Sequence, residues 1–565
     1  MARRYREHEL RHVECLDGIW DFELLGEVEP TEIETSALRC ADMMAVPGCF
    51  DALPRYALAR GVAAYRRSLV LSVAGHYRLV FQGVQHVAHV FLAGQRIAQH
   101  EGGFTRFVVD LGALAAGRYE LVVLVDNRLD WSRCPLHLDY FDWYHYGGIS
   151  RSVELERLPT TWITAVAVDT LAVDPARLEL RIDYESAAPG PTELRVAWDG
   201  QAVHSEPTTL EARGRITCVL ELAGASLWSP TQPALHLLDV VLAEDDLRVR
   251  VGVRKIEVRG RELLLNGSPL ELRGVNRHQA HPLFGHALPD SINLADIALI
   301  RELSGNFVRG AHYPQDPCFL DLCDEVGLCV WNEAIGWQHT AEHLQDPRFV
   351  AAQVAHIEEM VAMSRNHASV VLWGILNEGH SHQAESRPGY ERLFATLRAL
   401  DVTRPLTSAS MFGYDDVCFD LADVVSVNTY PGWYYGELAS IPETLAKLLA
   451  HLERTQPNKP VIVSEIGAAA IFGCHELGAG RWTEEYQADL LEAVLTQLFE
   501  GSRVAGVALW QFTDTRTSDR ISVVLGKPRG YNNKGLLDEY RRPKLAYARV
   551  ARLFRARAER EAPRG

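Results

Sequence analysis

Two glutamates in this chain each close an apolar, strand-like run. Glu378 ends Val370-Val371-Leu372-Trp373-Gly374-Ile375-Leu376-Asn377-Glu378, and Glu465 ends Val461-Ile462-Val463-Ser464-Glu465. An ionised carboxylate at the end of a buried strand is costly unless it is paired or does chemistry. Two of them in one barrel-like pattern suit an acid and a nucleophile facing a single bond. Hydrolysis of a glycosidic bond with retention needs that pair, with the carboxyl groups about 5 Å apart. In this reading Glu378 is the general acid/base and Glu465 the nucleophile. Asn377 is then placed to donate to a sugar 2-hydroxyl. The bland alternative, two barrel-rim carboxylates in ion pairs, carries less weight because both follow candidate strands.

Other residue clusters bear on what such a site would hold. In Arg529-Gly530-Tyr531-Asn532-Asn533-Lys534, the cations Arg529 and Lys534 suit an anionic sugar carboxylate, with Asn532 as a neutral donor. On spacing alone, a solvated basic loop is the better reading of that segment. His278 and His312 follow candidate strands and suit either sugar hydroxyls or structural hydrogen bonds. His380 and His382 follow Glu378, but no third ligand stands at matching spacing, so no metal is expected. Strand-end aromatics (Trp373, Tyr430, Trp433, Tyr434, Trp510) suit stacking on a sugar ring, and Trp373 reads better as core.

These residues need elements to position them. From about residue 259 the pattern alternates strand with helix. Candidate strands are 272–276, 306–310, 328–332, 370–376, 406–410, 424–427, 461–464 and 506–510, with helical periodicity at 292–303, 349–364, 390–400, 442–452, 484–498 and 544–559. Eight strands alternating with helices predict a closed (β/α)8 barrel, whose chemistry lies at the strand ends. Before it, short strands separated by turns predict two β-sandwiches. The expected domains are 1–158, a jelly-roll-like sandwich; 159–257, an immunoglobulin-like sandwich; and 258–565, the catalytic barrel.

Composition bounds the rest. The 565 residues are too many for one core, and 47% hydrophobic with 23% charged residues is the composition of a folded globular chain. A net charge of −17 argues against nucleic acid or an anionic membrane as the main partner. The start, Met1-Ala2-Arg3-Arg4-Tyr5-Arg6, lacks an apolar stretch after its basic residues, so no signal peptide is expected. Ten cysteines without metal or disulfide spacing fit a reducing cytoplasm.

With these residues in hand, the chain resembles glycoside hydrolase family 2 over nearly its whole length. Phe81-Gln82-Gly83-Val84, His100-Glu101-Gly102-Gly103-Phe104 and Tyr146-Gly147-Gly148-Ile149-Ser150-Arg151 are similar to the family's sugar-binding-like N-terminal sandwich. Leu227-Trp228-Ser229-Pro230 is similar to its middle domain, and Gly274-Val275-Asn276-Arg277-His278, Asn366-His367-Ala368-Ser369, Asn377-Glu378 and Ser464-Glu465-Ile466-Gly467 to its barrel. The resemblance implies the same roles for Glu378 and Glu465. It implies sugar contacts for Asp142, His312, Asn428, Tyr430, Tyr434 and Trp510, and a C6-carboxylate reader in Asn532-Asn533-Lys534. It implies an exo-acting retaining β-glycosidase for terminal uronic acids, β-glucuronides first, with β-galacturonides or neutral β-galactosides as alternatives. A catalytically inactive carbohydrate-binding protein is the alternative from another class. No organic cofactor is needed. The partner is a small-molecule or oligosaccharide glycoside, and a homo-oligomer is one expected state, with no patch to name for it. The stretch 335–349 is short, so no long lid is expected.

Overall fold

The computed structural model describes residues 3–129, 141–500, 504–517 and 526–561. Its first layer pair is a sandwich. A six-stranded sheet, ordered Asp42–Val46, Gly18–Gly26, Val62–Leu71, Gly117–Asp126, Val87–Leu92, Gln95–Glu101, packs on a four-stranded one of His12–Cys15, Val153–Leu158, Gly75–Phe81 and Phe107–Leu114. Leu121, Val123 and Val125 alternate into the shared core with Leu79 and Phe81, the period of a strand with one buried face. A second sandwich follows. Its three-stranded sheet (Thr161–Val173, Ala176–Ser186, Arg213–Leu222) faces a four-stranded sheet (Gln201–Leu210, Gly190–Trp198, His236–Leu242, Asp245–Val251) around Leu178, Leu180, Ile182 and Val240.

The third unit is a closed parallel barrel. Its strands are β1 Leu272–Arg277, β2 Phe307–Gly310, β3 Cys329–Glu333, β4 Val370–Asn377, β5 Leu406–Ser410, β6 Val425–Asn428, β7 Val461–Ile466 and β8 Gly506–Leu509. Each falls on a candidate strand, because a strand walled by helices outside and side chains inside must be apolar on both faces. The helices Asp290–Glu302, Pro347–Ser364, Arg387–Leu400, Ile441–Thr455, Glu484–Phe499 and Leu545–Glu561 fall on the expected periodic segments. Pro317–Val326 and the short Ala341–Gln345 are two further helices that the periodicity did not single out. The second of these lies inside 335–349, so that stretch is folded against the barrel.

The first sandwich is docked at the barrel mouth by aromatic packing. Phe104 stacks on Tyr313 with ring centroids 4.0 Å apart, and Trp143 lies 5.2 Å from His312 and 6.3 Å from Trp337. Arg151 crosses the same boundary, donating to the Pro314 carbonyl at 2.9 Å. Phe141 and Trp143 are buried on either side of Asp142, so the short Phe-Asp-Trp segment holds one carboxylate over the barrel. Among the described residues no helix is long and apolar enough to cross a membrane.

Candidate active site

Glu378 is the first residue after β4 and stands in the left-handed backbone region, φ 51°. That conformation is uncommon for a residue with a side chain and costs on the order of 1 kcal/mol or more, so the surroundings must impose it. They do so through the backbone: the Glu378 N–H donates to the Ala409 carbonyl of β5 at 2.8 Å. Its carboxylate accepts from Asn428 Nδ2 at 2.9 Å and from Gln338 Nε2 at 3.1 Å.

Glu465 lies near the end of β7 and is buried. Arg309 Nη1 donates to its Oε1 at 2.8 Å, and the Tyr430 hydroxyl donates to its Oε2 at 2.6 Å. Gly467 lets the chain beyond β7 close on the end of β8: a Cβ there would lie 2.0 Å from the Trp510 carbonyl oxygen. Burial, and after it the facing charge of Glu378, push Glu465 up to about 8, while Arg309 and Tyr430 pull it down.

Both glutamates open on one cavity of 390 Å³. It is also lined by Asp142, His312, Asn428, Tyr430, Tyr434, Trp510 and Lys534, so most of the expected sugar-site residues converge there. Asn377 ends β4 beside them. Its Oδ1 accepts from Arg309 and Asn428 at 2.8 and 3.0 Å, while its Nδ2 has no hydrogen-bond partner among the described residues. His312 is held by Glu333 at 2.9 Å and stacks on Trp510 with centroids 5.0 Å apart. Asn532 donates to Asp142 at 2.5 Å, joining the sandwich to the loop after β8. Lys534 Nζ donates to the Tyr434 hydroxyl at 2.8 Å and lies 4.8 Å from that ring's centroid. Burial pulls its ammonium below the usual lysine range, against the opposing pull of Asp142, Glu465 and Glu378.

Three of the candidate residues lie away from the cavity wall. Arg529 does not reach the cavity. Its backbone is left-handed at φ 65°, and its guanidinium turns to Glu539 at 2.9 Å and Asn533 Oδ1 at 2.9 Å. Lys527 approaches instead, 2.7 Å from Asp142. His278 is buried among Trp143, Tyr313 and Trp510 and is absent from the cavity wall. Trp433 packs on Trp482 with centroids 5.1 Å apart, a core contact. Trp373 is buried, as expected, and donates to Asp401 at 2.9 Å. His380 and His382 pack around Phe412, and no described carboxylate, cysteine or histidine completes a metal-ligand cluster with them.

Sequence reasoning missed two buried charges that organise the site. Arg309, in β2, holds Glu465 and, through both its Nε and Nη2, Glu333 at 3.0 and 2.9 Å. Glu333 ends β3 as Glu378 follows β4, and the same signal, a carboxylate closing an apolar run, was there to be read. A lysine at 309 keeps the charge but cannot serve Glu465, Glu333 and Asn377 at once. Because Arg309 pulls the Glu465 carboxyl down, Arg309→Lys is expected to move the acid limb of the kcat/KM profile to higher pH. Activity below neutrality then falls by about tenfold or more. An unmoved acid limb would show that Arg309 does not tune Glu465.

Comparison with known proteins decides the family. Residues 256–556 match the family description "Glycosyl hydrolases family 2, TIM barrel domain", and residues 60–159 match "Glycosyl hydrolases family 2, sugar binding domain". The chain belongs to glycoside hydrolase family 2. It is a glycoside hydrolase built as the family is, with N-terminal sandwiches ahead of the barrel. Within the family it is 28% identical to a β-glucuronidase of Paenibacillus borealis, over 97% of both chains. It is 30% identical to the β-glucuronidase of Homo sapiens, over 81% of this chain and 75% of that one. The crystal structure of a family 2 β-galacturonidase from Eisenbergiella tayi bound to galacturonate superposes with TM-score 0.91 at 34% identity, covering 98% of this chain and 99% of that one.

Proposed function

We propose that this family 2 hydrolase removes terminal β-linked uronic acids, β-D-glucuronides first, by double displacement. The observation that carries the substrate reading is Lys534. It is a buried ammonium beside the catalytic cavity that forms no ion pair among the described residues. Burial disfavours that charge although Asp142, Glu465 and Glu378 oppose the effect, and an anionic ligand in direct contact relieves the cost. A sugar C6 carboxylate supplies that contact. Asn532 and Lys527 both donate to Asp142, which lines the same cavity.

In the reaction, a carboxylate oxygen of Glu465 bonds to the anomeric carbon. The bond from that carbon to the leaving oxygen breaks, and its electron pair takes a proton from the Glu378 carboxyl. Two donors, one of them the charged Arg309, stabilise Glu465 as the anion, whereas Glu378 receives only neutral amides. Water then gives a proton to Glu378 and its oxygen to the anomeric carbon, releasing Glu465. The Asn377 amide, free at Nδ2, is suited to a sugar 2-hydroxyl.

The second reading is a β-galacturonidase, favoured by the likeness to the Eisenbergiella tayi enzyme. Glucuronide and galacturonide share the carboxylate and differ at the C4 hydroxyl, which Lys534 does not distinguish. Hydrolysis of matched nitrophenyl β-glucuronide, β-galacturonide and β-galactoside tests both. A uronide kcat/KM about 10- to 100-fold above the galactoside is expected, the range of one charge-assisted contact. The ratio between the two uronides assigns C4. Preference for the galactoside would overturn the carboxylate reading, and sugar binding without any turnover would overturn catalysis.

A further inference from the structure

A second cavity, of 470 Å³, lies at the opposite end of the barrel from the two glutamates. It sits where the second sandwich hands the chain to the barrel. Its walls come from the strand Thr161–Val173, from 251–258 and from the segments that lead into β4 and β5. β4 runs from Val370 at this end to Asn377 at the catalytic one, so its eight residues, at about 3.3 Å each, keep the two cavities about 20 Å apart. The two cavities share no lining residue.

Five lysine and arginine side chains line this second cavity, and four of them have a carboxylate. Lys255 pairs with Glu257 at 3.1 Å, Arg365 with Asp169 at 2.9 Å, Arg398 with Asp423 at 3.0 Å and Arg404 with Asp401 at 2.6 Å. The fifth, Arg254, is only 5% exposed and forms no ion pair among the described residues. Its Nε donates to the Ala368 carbonyl at 2.8 Å and its Nη2 to that of Val370 at 2.7 Å. Arg404 Nε donates to the same Val370 carbonyl at 2.7 Å, so the two guanidiniums are neighbours. Burial, and after it Arg404, push Arg254 down to about 9, while Asp401 and Asp324 act against that shift. The Nη1 of Arg254 has no acceptor among the described residues, and neither has the buried Nε of Arg365. One guanidinium in excess of the carboxylates, with unused N–H donors in a planar fork, suits the carboxylate of a monoanion.

The remaining walls bear on the body of that ligand. Val168, Leu171, Val258, Val402 and Pro405 are aliphatic, and Leu171 and Val402 are 42% and 80% exposed. Asn366 commits its amide to Val166 and Val168, and Thr403 its hydroxyl to Asp401. An apolar body covers the aliphatic side chains without competing for bonded groups, and a dianionic phosphate would exceed the single surplus charge.

We infer that this junction cavity is a second binding site, for a small organic acid whose carboxylate meets Arg254 and whose apolar body lies along Leu171 and Val402. The inference does not rest on the uronide reading. The probe is para-bromobenzoate, and the protein carries Lys534→Ala throughout, which keeps the carboxylate out of the catalytic cavity. Titration calorimetry is expected to give one site, and a soaked crystal an anomalous bromine peak in the junction cavity. The melting temperature is expected to rise, because the ligand binds only the folded junction. Added Arg254→Met is expected to weaken binding by about 10- to 100-fold, the scale of a charge-assisted hydrogen bond. The methyl ester of the same acid keeps the ring and lacks the charge, so it tests the carboxylate without touching the fold; it is expected to bind at least about tenfold more weakly. Absence of bromine from this cavity at the highest soluble concentration of probe would overturn the inference. So would equal binding of acid and ester, or equal affinity for inorganic phosphate. Each of these outcomes leaves the uronide reading intact, and failure of that reading leaves this site standing.

Discussion

Glu465→Gln abolishes steady-state turnover while leaving the fold and sugar binding in place; the expected fall in kcat is on the order of 10⁴-fold or more, the scale seen when a covalent nucleophile is removed. The substitution is nearly isosteric and its hydrogen bonds can be rebuilt. An amide oxygen accepts from Arg309 as the carboxylate does, and the amide N–H₂ can donate to the Tyr430 oxygen once that hydroxyl turns. What is lost is the bond to the anomeric carbon. The substitution also removes a buried ionisable group, whose burial is the first cause that holds Glu465 up to about 8. The variant is therefore expected to melt at or above the wild-type temperature. Binding of a uronic acid product by calorimetry, melting temperature and kcat together check this. Persistence of more than about a hundredth of wild-type kcat would remove Glu465 from the nucleophile's role. Loss of product binding would place it among the residues that hold the sugar.

The barrel was legible because each of its strands must be apolar on both faces, so that runs such as Val370-Val371-Leu372 stand out against amphipathic helices. The helix Pro317–Val326 was not read from its periodicity, since Asp321 and Asp324 interrupt the apolar pattern. Those carboxylates are buried, yet Asp321 pairs with Arg3 at 2.7 Å and Asp324 accepts from the Ser369 N–H at 2.7 Å, partners far away in sequence. Its end signals were on the page: Asp316 caps it, Pro317 opens it and Gly327 closes it in the left-handed conformation. The two candidate glutamates were legible because a carboxylate closing an apolar run is a local signal, and the structure brings both to one cavity. Arg309 and Gln338 were not, because what makes them matter is a neighbour more than thirty residues away. Arg529 shows the reverse error. Its place four residues before Asn533 suggested that it joins Lys534, but one left-handed residue turns its side chain to Glu539. Spacing reports proximity along the chain and says little about direction once the backbone leaves regular structure.

Lys534→Ala separates the charge reading from the mechanism. The ammonium is buried, bonded to the Tyr434 hydroxyl, with the rings of Tyr430 and Trp433 both 5.7 Å away. Burial pulls its pKa down, so part of its charge is already opposed before substrate arrives. A sugar carboxylate in contact with it stabilises the charged form, and the gain from that pairing appears as binding shared by ground state and transition state. The expected result is a fall of about 10- to 100-fold in kcat/KM on β-uronides, carried mainly by KM, since a charge-assisted hydrogen bond contributes about 1.5–3 kcal/mol. On a neutral β-galactoside no carboxylate meets the ammonium, and kcat/KM is expected to stay within about threefold or to rise, because a desolvated cation has been removed. Lys534→Met fills the space without the charge and is expected to behave alike, which separates lost charge from a collapsed wall. Equal losses on uronide and galactoside in both variants would mean that Lys534 supports the cavity and reads no carboxylate. A selective loss on the uronide would assign the anion-binding role to this lysine, with Glu378 and Glu465 unchanged.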